Sequence, residues 1–488
     1  MLIFSILISF FLGILLCITV FEKNDNINFR FLINLSLPIG IGISSVIFIS
    51  LNLLKLPFFL VLLVEIGLIT FLAFKIKQTN KIIGQYLGFR HIKPELQLQK
   101  PSPKNGFNSI SKHLRNNFNC WGEELLQNPI LLLFTIVYFY AWLMDSGIFY
   151  FDSIKEPHGL WDAFNYWNLK AKFISRAPSE WPSLFQQMVS EAFHPDYPLL
   201  QTGYIARCWL HIKNESVWVP IVFSFIFTFC TIGLLASSVS FFTNKTKGLI
   251  AGLILLATPF YMTMGDSQYA DNTVGFFYLA TIVLLTFARK GTLIKPHLLI
   301  AAGVTAGLSA WSKNEGLLFI VSLFLSQLTL LFFKNYRELL SELKYLLLGM
   351  LPILLLVAYY KIAIAPPNDI ISAQGMGTFV KLTDYSRYAT VSLCYMEQFH
   401  GFGKWMLNPW WLFLFGILYK GIIKENRRSL ISNFAILLFM LIGFFFIYIV
   451  TPLDLVFHLS TSIHRLFFQL FPTFIFIYFL AIKGDALL

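Results

Sequence analysis

The chain has 488 residues, of which 57% are hydrophobic and only 13% are charged. This composition excludes a soluble globular protein and is typical of a polytopic helical membrane protein. The net charge of +12 is best explained by cytoplasmic loops rich in Lys and Arg, because no basic cluster lies on a soluble domain that could bind nucleic acid. The five cysteines show no CxxC motif and no zinc-like spacing, so redox chemistry and structural zinc are not expected.

Apolar segments of about 20 residues, the length that a membrane-spanning helix needs, follow one another along the whole chain. The sequence therefore predicts an all-α polytopic fold of about thirteen spans, the first retained as a helix because no basic region precedes it. The predicted spans are residues 2–20, 31–52, 56–74, 129–147, 218–242, 248–264, 273–288, 296–312, 316–333, 345–365, 408–423, 430–450 and 463–482.

The spans divide into two groups near residue 128. Residues 1–128 contain three spans and a basic loop, and residues 129–488 are expected to form the catalytic module. The polar loops 148–217 and 366–407 interrupt this module, and we expect them to form a small external cap of short amphipathic helices. Most Lys and Arg residues fall in the connectors after the odd-numbered spans, which predicts that the N-terminus is external and the C-terminus cytoplasmic.

The first unusual polar segment is WDAFNYWNLKAKF, residues 161–173. It is predicted to be an amphipathic helix at the membrane surface, with its rings at headgroup depth and the ammonium groups of Lys170 and Lys172 in water. Asp162, near its start, could cap the helix. An aspartate just outside the membrane could equally act as the general base for an incoming hydroxyl or amine.

The second segment is HPDYPLL, residues 194–200. Its two prolines restrict the backbone and would hold His194, Asp196 and Tyr197 in a fixed presentation toward a ligand. A rigid loop that leads into the next helix is the alternative interpretation.

The third segment is GDSQYAD, which places Asp266 and Asp271 near the mouth of a span. Asp271 could cap that span. The two acids could instead contact a sugar hydroxyl or a divalent cation, although a metal site would usually need more ligands than this turn supplies. A divalent cation is therefore a possible cofactor without an assigned ligand set.

Two further segments combine cations with other polar groups. WSKNEG, residues 311–316, carries Lys313 and Glu315 in a short turn between spans, where they could form a local ion pair or contact a phosphate. His458 and Arg465 flank the hydroxyl cluster STS in the last external connector. Arg465 suits bidentate phosphate recognition, and extension of its side chain to lipid headgroups is the alternative.

In this order and on one predicted side of the membrane, WDAFNYWNLKAKF, HPDYPLL, the YAD…FFYLA segment and SKNEGLLF resemble polytopic glycosyltransferases of the GT-C type. The resemblance is to bacterial proteins grouped with protein mannosyltransferases and aminoarabinose transferases, and it covers about residues 129–482. It implies transfer of a sugar from a polyprenyl-phosphate donor to a glycan, lipid or protein acceptor, usually with inversion. The implied location is the bacterial cytoplasmic membrane, with the active site facing outward.

The resemblance also implies roles for individual residues. Asp162 matches the carboxylate that acts as base, while Lys313 and Arg465 match the cations that hold the donor phosphate. Asp271 stands where the family often places an acid. Many members have an Asp–Glu pair in the first loop, whereas Ala163 follows Asp162 here, so Asp196 remains a competing base.

Two other functional classes are open. A transporter or lipid-linked glycan flippase would place ionisable groups inside its spans, whereas the spans here are mostly free of them, with Glu65 and Asp145 as exceptions. A glycan ligase of another membrane fold would depend on Arg and His in one large external loop. No GxGxxG or Walker A motif points to a nucleotide, and a lipid-phosphate donor requires neither.

Overall fold

The structure is a computed structural model, and it describes residues 1–21, 27–78, 124–187, 194–290, 295–332, 336–404, 409–421 and 427–482. Within these ranges the chain is built from α-helices and short helical turns, without a β-strand element. The all-α prediction is therefore confirmed.

The described residues form twenty α-helices, which position the polar segments. In chain order they are α1 (Leu2–Val20), α2 (Phe29–Leu53), α3 (Phe59–Gln78), α4 (Pro129–Lys155), α5 (Asn168–Arg176), α6 (Trp181–Gln187), α7 (Leu200–Ile212), α8 (Trp218–Phe242), α9 (Lys245–Leu256), α10 (Pro259–Asp266), α11 (Ala270–Ala288), α12 (Pro296–Ser312), α13 (Glu315–Leu328), α14 (Tyr336–Ala363), α15 (Asp369–Ser372), α16 (Met376–Thr383), α17 (Tyr385–Gly401), α18 (Pro409–Lys420), α19 (Arg427–Val450) and α20 (Leu455–Ala481).

Among the described residues, ten helical segments are long and apolar enough to cross a membrane. An eleventh span would be the pair α9 and α10, which meet at a bend of 67°. The bend falls where Pro259 begins α10, because proline cannot donate the backbone hydrogen bond that would continue the preceding helix. The two remaining predicted spans, 296–312 and 408–423, correspond to α12, with 17 residues, and α18, with 12, so the count of thirteen stays a prediction.

The three N-terminal helices pack against the rest of the bundle. Helix α2 contacts α7 and α8, and one hydrophobic core extends from α1 to α20. A fully buried ion pair also joins α7 to the N-terminal helices. Arg207 of α7 lies 2.5 Å from Glu65 of α3, and it donates a hydrogen bond to Ser5 of α1 at 2.7 Å. Glu65 therefore has a structural partner inside its span.

The predicted external loops do contain short helices, but one of them is not part of a surface cap. Helix α7 is buried from Leu200 to Trp209 and belongs to the core, although it falls inside loop 148–217. Helix α4 continues to Lys155 rather than ending at residue 147. In loop 366–407, helix α16 does present an exposed apolar surface that includes Met376 and Phe379.

Candidate active site

The centre of the candidate site is a buried carboxylate that holds two cations. Asp271 accepts a hydrogen bond from Lys313 at 3.0 Å and another from Gln469 at 2.6 Å, both on Oδ1. Its Oδ2 accepts from Arg465, with the shorter distance 2.7 Å to Nη2. The Asp271 side chain is 0% exposed. Both cations are therefore fixed in place before any ligand arrives.

Three helices bring the side chains of this centre together. Asp271 lies in the first turn of α11, Lys313 immediately follows α12, and Arg465 lies in the first half of α20. Asp271 does not cap α11, because its carboxylate faces the neighbouring helices instead. Arg465 is 16% exposed and held by carboxylates, so the interpretation as a headgroup contact is not supported.

Asp162 joins the same cluster from the first polar segment. Its Oδ2 lies 2.7 Å from Nη1 of Arg465, so one guanidinium group bridges Asp162 and Asp271. The Tyr269 ring lies against the guanidinium at 4.7 Å, and the Tyr269 hydroxyl accepts a hydrogen bond from the Asp162 backbone N–H. Asp162 stands at the N-cap position of the helical turn Ala163–Trp167, but its side chain makes no capping hydrogen bond and instead contacts Arg465.

Glu315 completes this group on the side of Lys313. Its Oε1 lies 2.8 Å from the ammonium group, which confirms the expected local ion pair. Burial alone would lower the pKa of Lys313, but the charges of Asp271 and Glu315 raise it above its ordinary value. Lys313 is therefore a permanent cation. We call Asp162, Asp271, Lys313, Glu315 and Arg465 the central cluster.

The HPDYPLL segment forms a second cluster beside the first. Asp196 accepts hydrogen bonds from Asn314 and Asn368, both at 2.8 Å and both on Oδ2. Lys361 of α14 donates to the Asp196 backbone carbonyl and to Oδ1 of Asn314. The His194 ring approaches Asp196 at 3.8 Å. We call these five residues the anchor cluster.

The contacts of Asp196 in the anchor cluster favour a positioning role for this residue over a role as base. Burial would raise the pKa of Asp196, but the nearby His194 ring, the charge of Lys361 and the two amide donors together hold that pKa well below its ordinary value. A carboxylate with so low a pKa is a weak proton acceptor. Asp196 is thus suited to holding the turn that carries Lys313, because Asn314 is the next residue.

Aromatic rings connect the two clusters. The Tyr197 ring lies 5.8 Å from the Lys313 ammonium group and 5.6 Å from that of Lys170. Lys170 is fully buried, stacks over Trp167 and donates to the His194 carbonyl at 3.0 Å. The prediction that Lys170 reaches water is therefore wrong, as is the interfacial position of Trp167, whereas Trp161 is 61% exposed. Burial lowers the pKa of Lys170 to about 7.

Two predicted site residues lie apart from the described contacts of the central cluster. Asp266 is the last residue of α10. The carboxylate of Asp152, on α4, is the charged group that interacts with the Asp266 carboxyl group. His458 contacts Thr451 at 2.9 Å and packs against the Tyr448 ring, at the junction of α19 and α20. Neither arrangement supports a direct role in holding the donor.

Three polar partners of the clustered carboxylates were not predicted from the sequence. Gln469 follows Arg465 by four residues, so both project from one face of α20, and an amide in an otherwise apolar span was the available signal. Lys361 and Asn368 approach from the end of α14 and the segment that follows it. Their proximity to Asp196 arises only from the tertiary fold.

Metal ligation receives no geometric support from the described residues. They contain no group of three or more His, Cys, Asp or Glu side chains arranged to hold a metal ion. The acids of the central cluster are instead paired with Lys313 and Arg465.

Residues 194–360 match the family model described as dolichyl-phosphate-mannose-protein mannosyltransferase. This match confirms the resemblance to GT-C type membrane glycosyltransferases. The matched segment includes Asp196, Asp271 and Lys313, whereas Asp162 and Arg465 lie outside it and enter the site through their contacts. The family supports a glycosyltransferase activity in a multi-pass membrane protein. No curated protein and no solved structure matches the chain.

Proposed function

We propose that the protein transfers a sugar from a polyprenyl-phosphate donor to an acceptor at the external face of a bacterial cytoplasmic membrane. The observation that carries this proposal is the bridge from Asp162 through Arg465 to Asp271 and Lys313. One immobilised cation, Arg465, thus contacts a carboxylate that can accept a proton, and the second, Lys313, is joined to Arg465 through Asp271.

The position of the cations suits a lipid-linked donor. Asp271 lies in the first turn of α11 and Arg465 in the first half of α20, and both helices are long and apolar enough to span the bilayer. A polyprenyl phosphate places its anionic group at headgroup depth and its chain in the hydrocarbon. Its phosphate would therefore reach these cations while its chain stays among the apolar surfaces of the spans.

The proposed reaction is a single displacement with inversion. The acceptor oxygen or nitrogen forms a bond to the anomeric carbon while the bond from that carbon to the phosphate oxygen breaks. The acceptor proton passes to Asp162, and the electron pair of the broken bond leaves with the polyprenyl phosphate. No external oxidant or reductant is needed.

Charge develops on the phosphate oxygen as its bond to the sugar breaks. Lys313 and Arg465 are preorganised by Asp271 and Gln469, so they stabilise this charge more strongly in the transition state than in the ground state. Tyr197, Tyr269 and Tyr166 surround the cluster and offer ring faces and hydroxyl groups to a sugar.

The test is incubation of the purified protein with a panel of polyprenyl-phosphate sugars and candidate acceptors, with release of the bare lipid phosphate as the readout. Wild-type protein should release it from at least one donor. Lys313→Met should abolish release, whereas Lys155→Met should retain it, because Lys155 is an exposed lysine that pairs with Asp152 away from the cluster. Full turnover by the Lys313→Met variant would contradict the proposal.

A further inference from the structure

The central cluster carries more negative than positive groups. Arg465 and Lys313 face three carboxylates, those of Asp162, Asp271 and Glu315, so with all five groups charged the sum is one negative charge. The phosphodiester of a polyprenyl-phosphate sugar is itself an anion. In this arrangement the cations are already satisfied by carboxylate oxygens, and an entering phosphate would meet like charge.

The three carboxylates are held very differently. Asp271 is 0% exposed and receives hydrogen bonds from three side chains. Asp162 and Glu315 are 14% and 16% exposed, and each meets a cation through one oxygen. The other oxygen of Glu315 is buried without a hydrogen-bond partner among the described residues. Asp271 is thus a fixed part of the site, while Asp162 and Glu315 lie at its edge.

Their contacts resemble those of a bound phosphate. Asp162 Oδ2 lies 2.7 Å from Arg465 Nη1, and Glu315 Oε1 lies 2.8 Å from Lys313 Nζ. These are the distances at which cationic nitrogen atoms hold phosphate oxygens. Each edge carboxylate therefore occupies a position on a cation that a donor phosphate oxygen would need.

We propose that Asp162 and Glu315 are resident competitors that the donor phosphate displaces from Arg465 and Lys313. This inference rests on the proposed function. Once displaced, Asp162 lies beside the donor without a cation on its carboxylate. The carboxylate oxygen that Arg465 had held is then free to contact the acceptor hydroxyl or amine.

The displacement would impose an order on the reaction. Before the donor binds, Arg465 occupies the Asp162 oxygen that the acceptor proton would need. After the donor binds, the same guanidinium group binds the phosphate, and Asp162 can accept the proton of the acceptor. Activation of the acceptor thus requires that the sugar donor is already in place.

Equilibrium binding of farnesyl phosphate to the full-length protein in detergent tests this inference without any turnover. Farnesyl phosphate offers a prenyl chain and a phosphate but no sugar. Asp162→Asn and Glu315→Gln each remove one competing charge and should tighten binding by about three- to tenfold, which corresponds to roughly 0.7–1.4 kcal/mol. Asp271→Asn should weaken binding, because it releases the cations from their fixed positions.

The matched control is Glu397→Gln, which removes a carboxylate from an exposed position on α17 and should leave the affinity unchanged. Thermal unfolding of each variant verifies that the fold is retained. If wild-type protein binds farnesyl phosphate and either edge variant binds it equally or less well, displacement is overturned for that carboxylate. If wild-type protein fails to bind, the proposed function itself is contradicted.

Discussion

Arg465 is the residue on which most of the candidate site converges. Its planar guanidinium group reaches Asp162 through one nitrogen and Asp271 through two others, while its face rests against the Tyr269 ring. A lysine has a single ammonium group and could not make these contacts together. In the proposed mechanism, this residue would therefore position the base and the leaving-group site at the same time.

Replacing Arg465 should affect the donor more than the acceptor. Arg465→Ala removes a group that stabilises the leaving phosphate, so kcat/KM should fall by about 100- to 1,000-fold, with a larger increase in KM for the donor than for the acceptor. Arg465→Lys should recover part of the loss. Steady-state kinetics with each substrate varied in turn makes the comparison.

The control for this experiment is Arg176→Ala, because Arg176 pairs with Glu215 at the surface. It should leave both KM values unchanged. Equal increases in the two KM values of Arg465→Ala would argue against a phosphate contact.

Lys170 makes the free energy of unfolding depend on pH. Burial lowers its pKa from an ordinary 10.5 to about 7 in the folded protein, so between these values the unfolded chain binds more protons. Stability contributed by this group therefore increases as pH rises from about 7 to 10.5. Asp196 and Lys361 are the neighbouring charges that also act on it.

The difference between wild-type protein and Lys170→Met isolates this contribution. The melting temperature of wild-type protein, relative to that of Lys170→Met, should increase between pH 7 and pH 10. A difference that stays constant across this interval would show that Lys170 is not titrating with a lowered pKa.

At this scale, the sequence could identify ionisable residues but not their partners. Asp162, Asp271, Lys313 and Arg465 stand out because charged groups are costly beside apolar spans. The burial of Lys170 was not predictable, because its helical pattern does not reveal that Trp167 and Tyr197 cover the ammonium group.

The turn between α12 and α13 is the element that joins the two clusters. Lys313 extends from it into the central cluster, and the adjacent Asn314 reaches Asp196 in the anchor cluster. The turn is tight because Gly316 lies against the backbone of α12. A Cβ atom at Gly316 would lie 2.1 Å from the Ser309 carbonyl oxygen. This distance is too short for non-bonded atoms, so the backbone would have to shift.

Gly316→Ala should therefore displace Lys313 and Glu315 together. We expect sugar transfer to fall by at least about tenfold, because small misplacements of catalytic groups are costly. The control is Gly377→Ala on α16, where a Cβ atom would meet open space. Activity at the wild-type level in Gly316→Ala would show that the position of this turn does not govern turnover.

The existence of the long helices was easier to predict from the sequence than irregular turns within them or the burial of individual helices. Long apolar runs predict the spans, and the polar run from Trp161 predicts a short helix. The π-helical turn Ala163–Trp167 within it was not predicted, because periodicity alone does not distinguish this turn from a regular helix. Helix α7 appeared to be surface structure because it lies in a polar loop, yet the fold buries it.

For the whole molecule, the buried pair of Glu65 and Arg207 connects the N-terminal helices to the bundle. Removing one member of a buried ion pair leaves the other charge without a partner, so Glu65→Gln should lower the free energy of unfolding by about 3–5 kcal/mol. The double variant Glu65→Leu/Arg207→Met should lose less free energy of unfolding than Glu65→Gln does. Unfolding in detergent micelles measures both, and equal losses would show that the unpaired charge is not the cause.

Orientation in the membrane is the second prediction at this scale. The distribution of Lys and Arg predicts that the central cluster lies outside the cell. In a cysteine-free background, a membrane-impermeant maleimide should label Glu180→Cys, before α6, in intact cells, and Arg337→Cys, at the start of α14, only after lysis. The reverse pattern would place the site in the cytoplasm.

The most direct measurement is single-turnover release of polyprenyl phosphate from a polyprenyl-phosphate sugar that wild-type protein uses, compared between wild-type protein and Asp162→Asn. The account predicts that Asp162→Asn binds the lipid phosphate but releases essentially none from the sugar donor, while Asp152→Asn, an aspartate outside the cluster, turns over at the wild-type rate. Release by Asp162→Asn at the wild-type rate would contradict the central claim that this carboxylate, held on Arg465 in the resting site, accepts the proton in sugar transfer.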